Sequence, residues 1–235
     1  MYGQDPGARA LAPASPPQID GYELMHVLGS GGMGIVYEAR QASTGMRVAL
    51  KTVSTATPTA AAALRREANV LRGLAHPGIA RLLDEGTALG RPYFVMRLVR
   101  GERLTDVFAE LPGAARWSDI RTLTILRRLC STLAVLHGQG TVHRDVNPRN
   151  ILVRRADQPV LVDFGLAARF AAPNSRECID VAGVTMGTLA YTAPEQLRGE
   201  LVDPRADLYA VGCILYELLT GRLPCLRRCS QSRAC

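Results

Sequence analysis

Gly29-Ser30-Gly31-Gly32-Met33-Gly34-Ile35-Val36 follows the spacing G-x-G-x-x-G-x-V, and its flanks decide how the chain folds. Glycine turns of this spacing occur in two settings. In dinucleotide-binding βαβ units the glycines open a helix, and an acidic residue follows about twenty positions later. Here strand-like patterns lie on both sides, over residues 22–29 and 35–40, and a lysine follows instead of an acid. The stretch therefore reads as a hairpin folded over phosphates, whose missing side chains let backbone N–H groups approach an anion.

Working outward, residues 47–53 alternate around Val48 and Leu50, and residues 92–99 form another apolar stretch. One helix interrupts these strands, from about residue 60 to 74, with Leu64, Ala68, Leu71 and Leu74 on one stripe. Lys51 closes Val48-Ala49-Leu50-Lys51. A lysine there is ordinarily a strand-end charge, but beside a glycine loop it is placed to reach phosphates. It then needs a carboxylate to hold it, and Glu67 on the helix is the candidate. After Gly101 the character changes. Ile120, Leu123, Leu126, Cys130, Leu133 and His137 recur at helical spacing, with Ser118 as cap and Gly138 and Gly140 as stop. A second helix spans about residues 207–219 and stops at Gly221. The expected fold class is α+β, with a small β-rich lobe carrying one helix followed by a mainly helical lobe.

The chain has 235 residues, 47% hydrophobic and 21% charged, which suits a globular core. Its net charge is +7, but the arginines are scattered, so the excess reads as solvated surface and no nucleic-acid partner is expected. The six cysteines show no disulfide framework, which points to a reducing, cytoplasmic setting. Cys225, Cys229 and Cys235 cluster loosely but lack the paired spacing of a metal site. No apolar run approaches the ~20 residues of a membrane span. Residues 1–21, rich in proline and alanine, read as a disordered leader without the pattern of a signal peptide.

Further along, His143-Arg144-Asp145-Val146-Asn147-Pro148-Arg149-Asn150 matches H-R-D-x-x-x-x-N, Asp163-Phe164-Gly165 matches D-F-G, and Ala193-Pro194-Glu195 matches A-P-E. With the glycine loop and Lys51, this ordered set resembles the protein kinase superfamily. Gly187-Thr188-Leu189-Ala190-Tyr191-Thr192-Ala193-Pro194-Glu195 is similar to the G-T-x-x-Y-x-A-P-E segment of bacterial, eukaryotic-like serine/threonine kinases. The resemblance implies a two-lobed kinase fold, with lobes 22–99 and 100–225, that transfers the ATP γ-phosphate to protein serine or threonine hydroxyls.

The resemblance also assigns residues. Asp145 receives or orients the proton of the attacking hydroxyl, with Lys51, Asn150 and Asp163 completing the catalytic set, and Asn150 and Asp163 hold Mg²⁺. ATP is expected to meet Leu28, Gly29, Ser30, Gly31, Gly32, Met33, Gly34, Ile35, Val36, Ala49, Lys51, Glu67, Met96, Leu98 and Leu152. His143 and Phe164 are structural, stacking with Leu71 and Leu82. Arg144 implies a phosphate switch, with Thr185 (or Ser175) as the modified residue, and Thr188 bonds the catalytic loop.

Two departures from the family stand out. Such kinases carry lysine where this chain has Asn147, so charge is lost beside the transferring phosphate; Arg149 is a candidate to replace it. The resemblance also stops near Pro224, before several expected helices, so the sequence reads as a C-terminally truncated catalytic domain with residues 226–235 an unstructured tail. Two alternatives stay open. One is a nucleotide-binding pseudokinase or fragment that acts through binding, and the other is a small-molecule phosphotransferase of the aminoglycoside type.

Overall fold

A computed structural model of the protein describes residues 16–31, 34–109, 120–169 and 189–224. The chain divides into two units. The first comprises Met1–Ala75 and Ala80–Val99, and the second His76–Ile79 and Arg100–Cys235.

The first unit is a five-stranded antiparallel sheet with one helix. Strands β1 (Tyr22–Gly31), β2 (Gly34–Gln41), β3 (Arg47–Thr52), β4 (Leu82–Ala88) and β5 (Arg91–Arg97) lie in the order β1-β2-β3-β5-β4. Because strand side chains alternate, the register sorts them to two faces. Ala39 pairs with Val48 and Leu50 with Val95, and these four form a core cluster with Ile19. The pairs Val36–Lys51, Lys51–Phe94 and Ala49–Met96 fall on the opposite face.

Ile19 is only 4% exposed and pairs with Tyr22, so order begins before Tyr22 and residues 16–21 do not belong to a disordered leader. Burying one more branched apolar side chain is what extends the ordered chain backward. The remainder of the expected leader, and the expected tail, lie outside the described residues.

Helix α1 (Pro58–Arg72) packs on β4 and β5. Its start is set two residues earlier than the apolar stripe suggests, because Thr57 Oγ1 accepts from Ala60 N at 3.2 Å and Pro58 occupies the first turn. Its buried stripe is Leu64, Glu67, Ala68 and Leu71, one of which is an acid.

The second unit is mainly helical. Helices α2 (Leu104–Ala109), α3 (Ile120–Gly138), α4 (Pro194–Leu197) and α5 (Arg205–Thr220) are accompanied by short strands. These are β6 (Glu102–Arg103), β7 (Thr141–Val142), β8 (Ile151–Arg154), β9 (Gln158–Leu161) and β10 (Ala168–Arg169), paired as β6-β8-β9 and β10-β7. The α3 stripe Ile125, Leu129, Leu133 and Leu136 is fully buried, and α3 packs on α5. Gly221 ends α5 with φ 69°, a left-handed turn that glycine enters without penalty. The α3 boundary that Ser118 was expected to cap lies outside the described residues.

The segment His76–Ile79 belongs to this second unit although the first flanks it on both sides. Ile79 forms a parallel bridge with Leu161, whose N–H donates to the Gly78 carbonyl at 2.8 Å. A Cβ on Gly78 would lie 2.1 Å from Thr132 Oγ1 on α3, so only glycine fits there. The fold class read from the sequence, a β-rich unit with one helix followed by a mainly helical unit, is the one observed.

Candidate active site

In the first unit, β1 and β2 run together to the Gly31–Gly34 pair, forming the expected hairpin. A Cβ at Gly29 or Gly31 would meet nothing within 4 Å, so bare backbone faces open space, a surface that an anion can approach. Gly34 is different. Its φ is 133°, and a Cβ there would sit 2.3 Å from the Thr52 carbonyl oxygen, so it is a steric requirement of the hairpin. Gly32 and Met33 lie outside the described residues.

Lys51 on β3 meets Glu67 on α1, with Nζ 2.8 Å from both carboxylate oxygens. Their side chains are 4% and 3% exposed. Two charges this deeply buried offset each other's loss of hydration, so removing either one is costly. The strand register and the helix stripe therefore bring together the two residues that the sequence singled out. Val36, Ala49 and Met96 lie on the same sheet face as Lys51, and Ala49 and Met96 are buried. Leu28 and Leu98 are half-buried.

In the second unit, the segment from His143 to Asn150 folds around Asp145. Asn150 Nδ2 donates to Asp145 Oδ2 at 2.7 Å and to its carbonyl oxygen at 3.0 Å. Asn147 Nδ2 donates to Asp145 Oδ1 at 2.8 Å. Asn147 Oδ1 accepts from Arg149 N at 3.0 Å and so caps the short 3₁₀ turn Pro148–Asn150. Burial pushes the Asp145 carboxyl up to about 6, the Asp163 charge adds to the rise, and the Asn150 and Asn147 amides oppose it. A carboxylate held this way can receive a proton from a hydroxyl.

With its Nδ2 committed to Asp145, Asn150 keeps Oδ1 for another partner. Asp163 sits in a left-handed conformation, φ 66°, and its Oδ1 accepts from Gly165 N at 3.3 Å. Asn150 and Asp163 thus supply oxygen donors, the type that a hard divalent cation takes. Among the described residues no group of three His, Cys, Asp or Glu could hold a metal, so a cation here would need oxygens from its ligand or water. Phe164 is 1% exposed and stacks edge-on against His143, ring centroids 4.7 Å apart.

Two residues outside that segment bond to it directly. Asp207 on α5 is 1% exposed. Its Oδ2 accepts from His143 N at 2.9 Å and its Oδ1 from Arg144 N at 2.8 Å, while His137 Nε2 lies 2.7 Å from Oδ2. These bonds account for Arg144 holding φ 67°, a strained conformation for a residue with a side chain. Gln196 on α4 donates from Nε2 to the Arg144 carbonyl at 2.9 Å. Tyr191 donates to Glu217 Oε2 at 2.5 Å, and burial together with that carboxylate keeps the phenol neutral far above its usual range. In the sequence Asp207 stands as the first residue of an expected helix and Tyr191 as a motif position, and nothing there marked Gln196 or the pairing of Tyr191 with Glu217. Thr185, Thr188 and Ser175 lie outside the described residues, as do Cys225, Cys229 and Cys235.

Comparison with known proteins gives the same reading as the motifs. The protein kinase domain model matches residues 22–234. The chain is 38% identical over 220 residues to the serine/threonine-protein kinase pkn2 of Myxococcus xanthus, covering 91% of this chain and 26% of that protein. It is 38% identical over 213 residues to PknB of Mycolicibacterium smegmatis, covering 87% and 33%, and 38% identical over 210 residues to PknD of Mycobacterium tuberculosis, covering 88% and 31%. It thus spans about a quarter to a third of the length of these curated relatives. With the hairpin, the Lys51–Glu67 pair and the held Asp145 in place, the match over nearly the whole sequence makes this chain a member of the protein kinase domain family.

Proposed function

We propose that this chain is a serine/threonine protein kinase domain that transfers the γ-phosphate of Mg-ATP to a hydroxyl of a protein substrate. The observation that carries the reading is the Asp145 carboxylate, with an amide on each oxygen and its pKa raised to about 6 by burial and by the Asp163 charge. Phosphoryl transfer needs positioning and charge neutralisation more than covalent chemistry, and the residues divide along those lines.

In this reading Asp145 orients the acceptor hydroxyl and takes its proton. Lys51, held by Glu67, binds the α- and β-phosphates, and the backbone of Gly29–Gly34 covers them. Asn150 Oδ1 and Asp163 hold Mg²⁺, which when bound neutralises charge on the phosphates. Val36, Ala49 and Leu152, with Leu28 at the loop, offer apolar surface to the adenine, and the backbone of residues 96–99 supplies its hydrogen bonds. Ile35, paired with Thr52 and 4% exposed, lies on the sheet face opposite Val36 and does not contact the adenine. Arg144 is the proposed partner of a phosphate on Thr185, and Thr188 the proposed support of the catalytic loop. No helix among the described residues is long and apolar enough to cross a membrane. A cytoplasmic location and the absence of a nucleic-acid partner remain part of this proposal.

The test is incorporation of labelled phosphate from Mg-ATP into protein acceptors and into an aminoglycoside, with Asp145→Asn as control. Serine or threonine labelling abolished in Asp145→Asn supports the proposal. Nucleotide binding with no labelling above that control would identify a pseudokinase, and aminoglycoside labelling alone a small-molecule phosphotransferase.

A further inference from the structure

Asn147 occupies the position at which the family carries a lysine, and its amide is used at both ends. The residue is 3% exposed. Nδ2 donates to Asp145 Oδ1 at 2.8 Å, with a longer contact to the Asp145 carbonyl oxygen at 3.2 Å, while Oδ1 accepts from Arg149 N at 3.0 Å. Asn150 reaches the opposite carboxylate oxygen at 2.7 Å. An ionised carboxylate offers roughly four acceptor directions. One amide on each oxygen arrests rotation of the group and leaves an open direction on each for an incoming hydroxyl.

A lysine cannot do both of these things. An ammonium donates but accepts nothing, so it cannot cap the turn at Arg149 N, and its flexible stem fixes no plane. Arg149 itself is exposed, and it is its backbone N–H that Asn147 Oδ1 caps. What position 147 lacks in charge it supplies as a geometric constraint on Asp145.

We infer that Asn147 is a positioning residue, which together with Asn150 locks the Asp145 carboxylate in one orientation in place of the charge a lysine would bring. This rests on the phosphotransfer reading above. Asn147→Ser tests it, because a serine hydroxyl can still cap Arg149 N but cannot span to Asp145. Losing one hydrogen bond to a charged group predicts kcat about tenfold lower with KM for ATP unchanged, beside a modest fall in melting temperature. Asn147→Asp keeps the shape but sets acceptor against acceptor, and is expected to fall further, by about a hundredfold.

The decisive comparison is the split between kcat and KM in the otherwise wild-type protein. An unchanged kcat in Asn147→Ser, or a change in KM alone, overturns the inference. A readout independent of turnover is the Asn147 side-chain amide in nitrogen-15 NMR. It should exchange slowly and shift on Asp145→Ala, and a resonance that does not move overturns the lock. If the wild-type protein labels no acceptor above Asp145→Asn, the phosphotransfer reading fails, and the amide resonance still decides whether the lock exists.

Discussion

Replacing Asp207 measures how much of the second unit hangs on one side chain. The carboxylate is 1% exposed and takes three hydrogen bonds, from His143 N at 2.9 Å, from Arg144 N at 2.8 Å and with His137 Nε2 at 2.7 Å. In Asp207→Ala two buried backbone N–H groups lose their acceptor, and each orphaned donor costs about 1–3 kcal/mol. Freed from its acceptor, Arg144 is also released from a φ of 67°. That relief returns a small part of the loss, so we expect a net destabilisation of about 3–5 kcal/mol. For a chain of this size 1 kcal/mol shifts Tm by about 2–4 °C, so Tm should fall by about 10 °C. Asp207→Asn keeps one acceptor oxygen but turns an amide donor towards the other N–H, and should lose about half as much. Thermal unfolding followed by circular dichroism, with urea unfolding as a check, reads both values. A Tm loss below about 2 °C for Asp207→Ala would refute the reasoning, because it would mean that water or the local backbone serves the two N–H groups equally well.

Three further outcomes follow from the geometry. Gly78→Ala should destabilise the protein by about 1–3 kcal/mol through the clash with Thr132, and Thr132→Ala should restore most of it in the double variant; additive losses in denaturant titrations would contradict the contact. Lys51→Met should lower Tm by stranding Glu67, at about 3–5 kcal/mol, and adding Glu67→Leu should recover stability but not phosphotransfer. If the double variant is as unstable as the single, the pair is not what holds α1. Burial lowers the His143 pKa below its ordinary 6.5 although the Asp207 and Asp163 charges pull it up, so the unfolded chain takes up a proton that the folded chain refuses. Stability from this group is complete above about pH 6.5 and is lost as pH falls through that value towards the lower folded pKa. The Tm advantage of the wild type over His143→Phe should therefore be smaller at pH 5.5 than at pH 7.5, and an equal or larger gap would refute this.

Much of the site was legible in the sequence because its chemistry is carried by residues at fixed spacing. The glycines, Lys51, Asp145, Asn150 and Asp163 declare themselves, and strand and helix periods then bring Lys51 onto Glu67. Strand β4 was not legible. Its sequence Leu82-Leu83-Asp84-Glu85-Gly86-Thr87-Ala88 breaks the alternation of two, and the pairing shows why, with a register shift between Leu82 and Asp84 at the sheet edge. The two-residue strands β6, β7 and β10 are too short to show any period. Ile19 looked like part of the proline- and alanine-rich leader, since a single apolar residue carries no pattern until the sheet it covers is formed. Gln196 is an ordinary helix residue by composition, and its bond to the Arg144 carbonyl depends on a contact fifty-two residues away in sequence.

The chain passes from one unit to the other three times, at Ala75–His76, at Ile79–Ala80 and at Val99–Arg100. Neither unit is therefore a contiguous stretch of the gene. A fragment that starts at Arg100 would leave the Leu161 N–H without the Gly78 carbonyl and α3 without the glycine that lies against Thr132. A fragment that stops at Val99 would carry His76–Ile79 away from the partners those four residues need. Cutting this protein between Val99 and Arg100 would thus yield two incomplete halves. They should regain a native-like state only when mixed, by complementation between fragments, so the interval that divides the units on paper is a poor place to cut them.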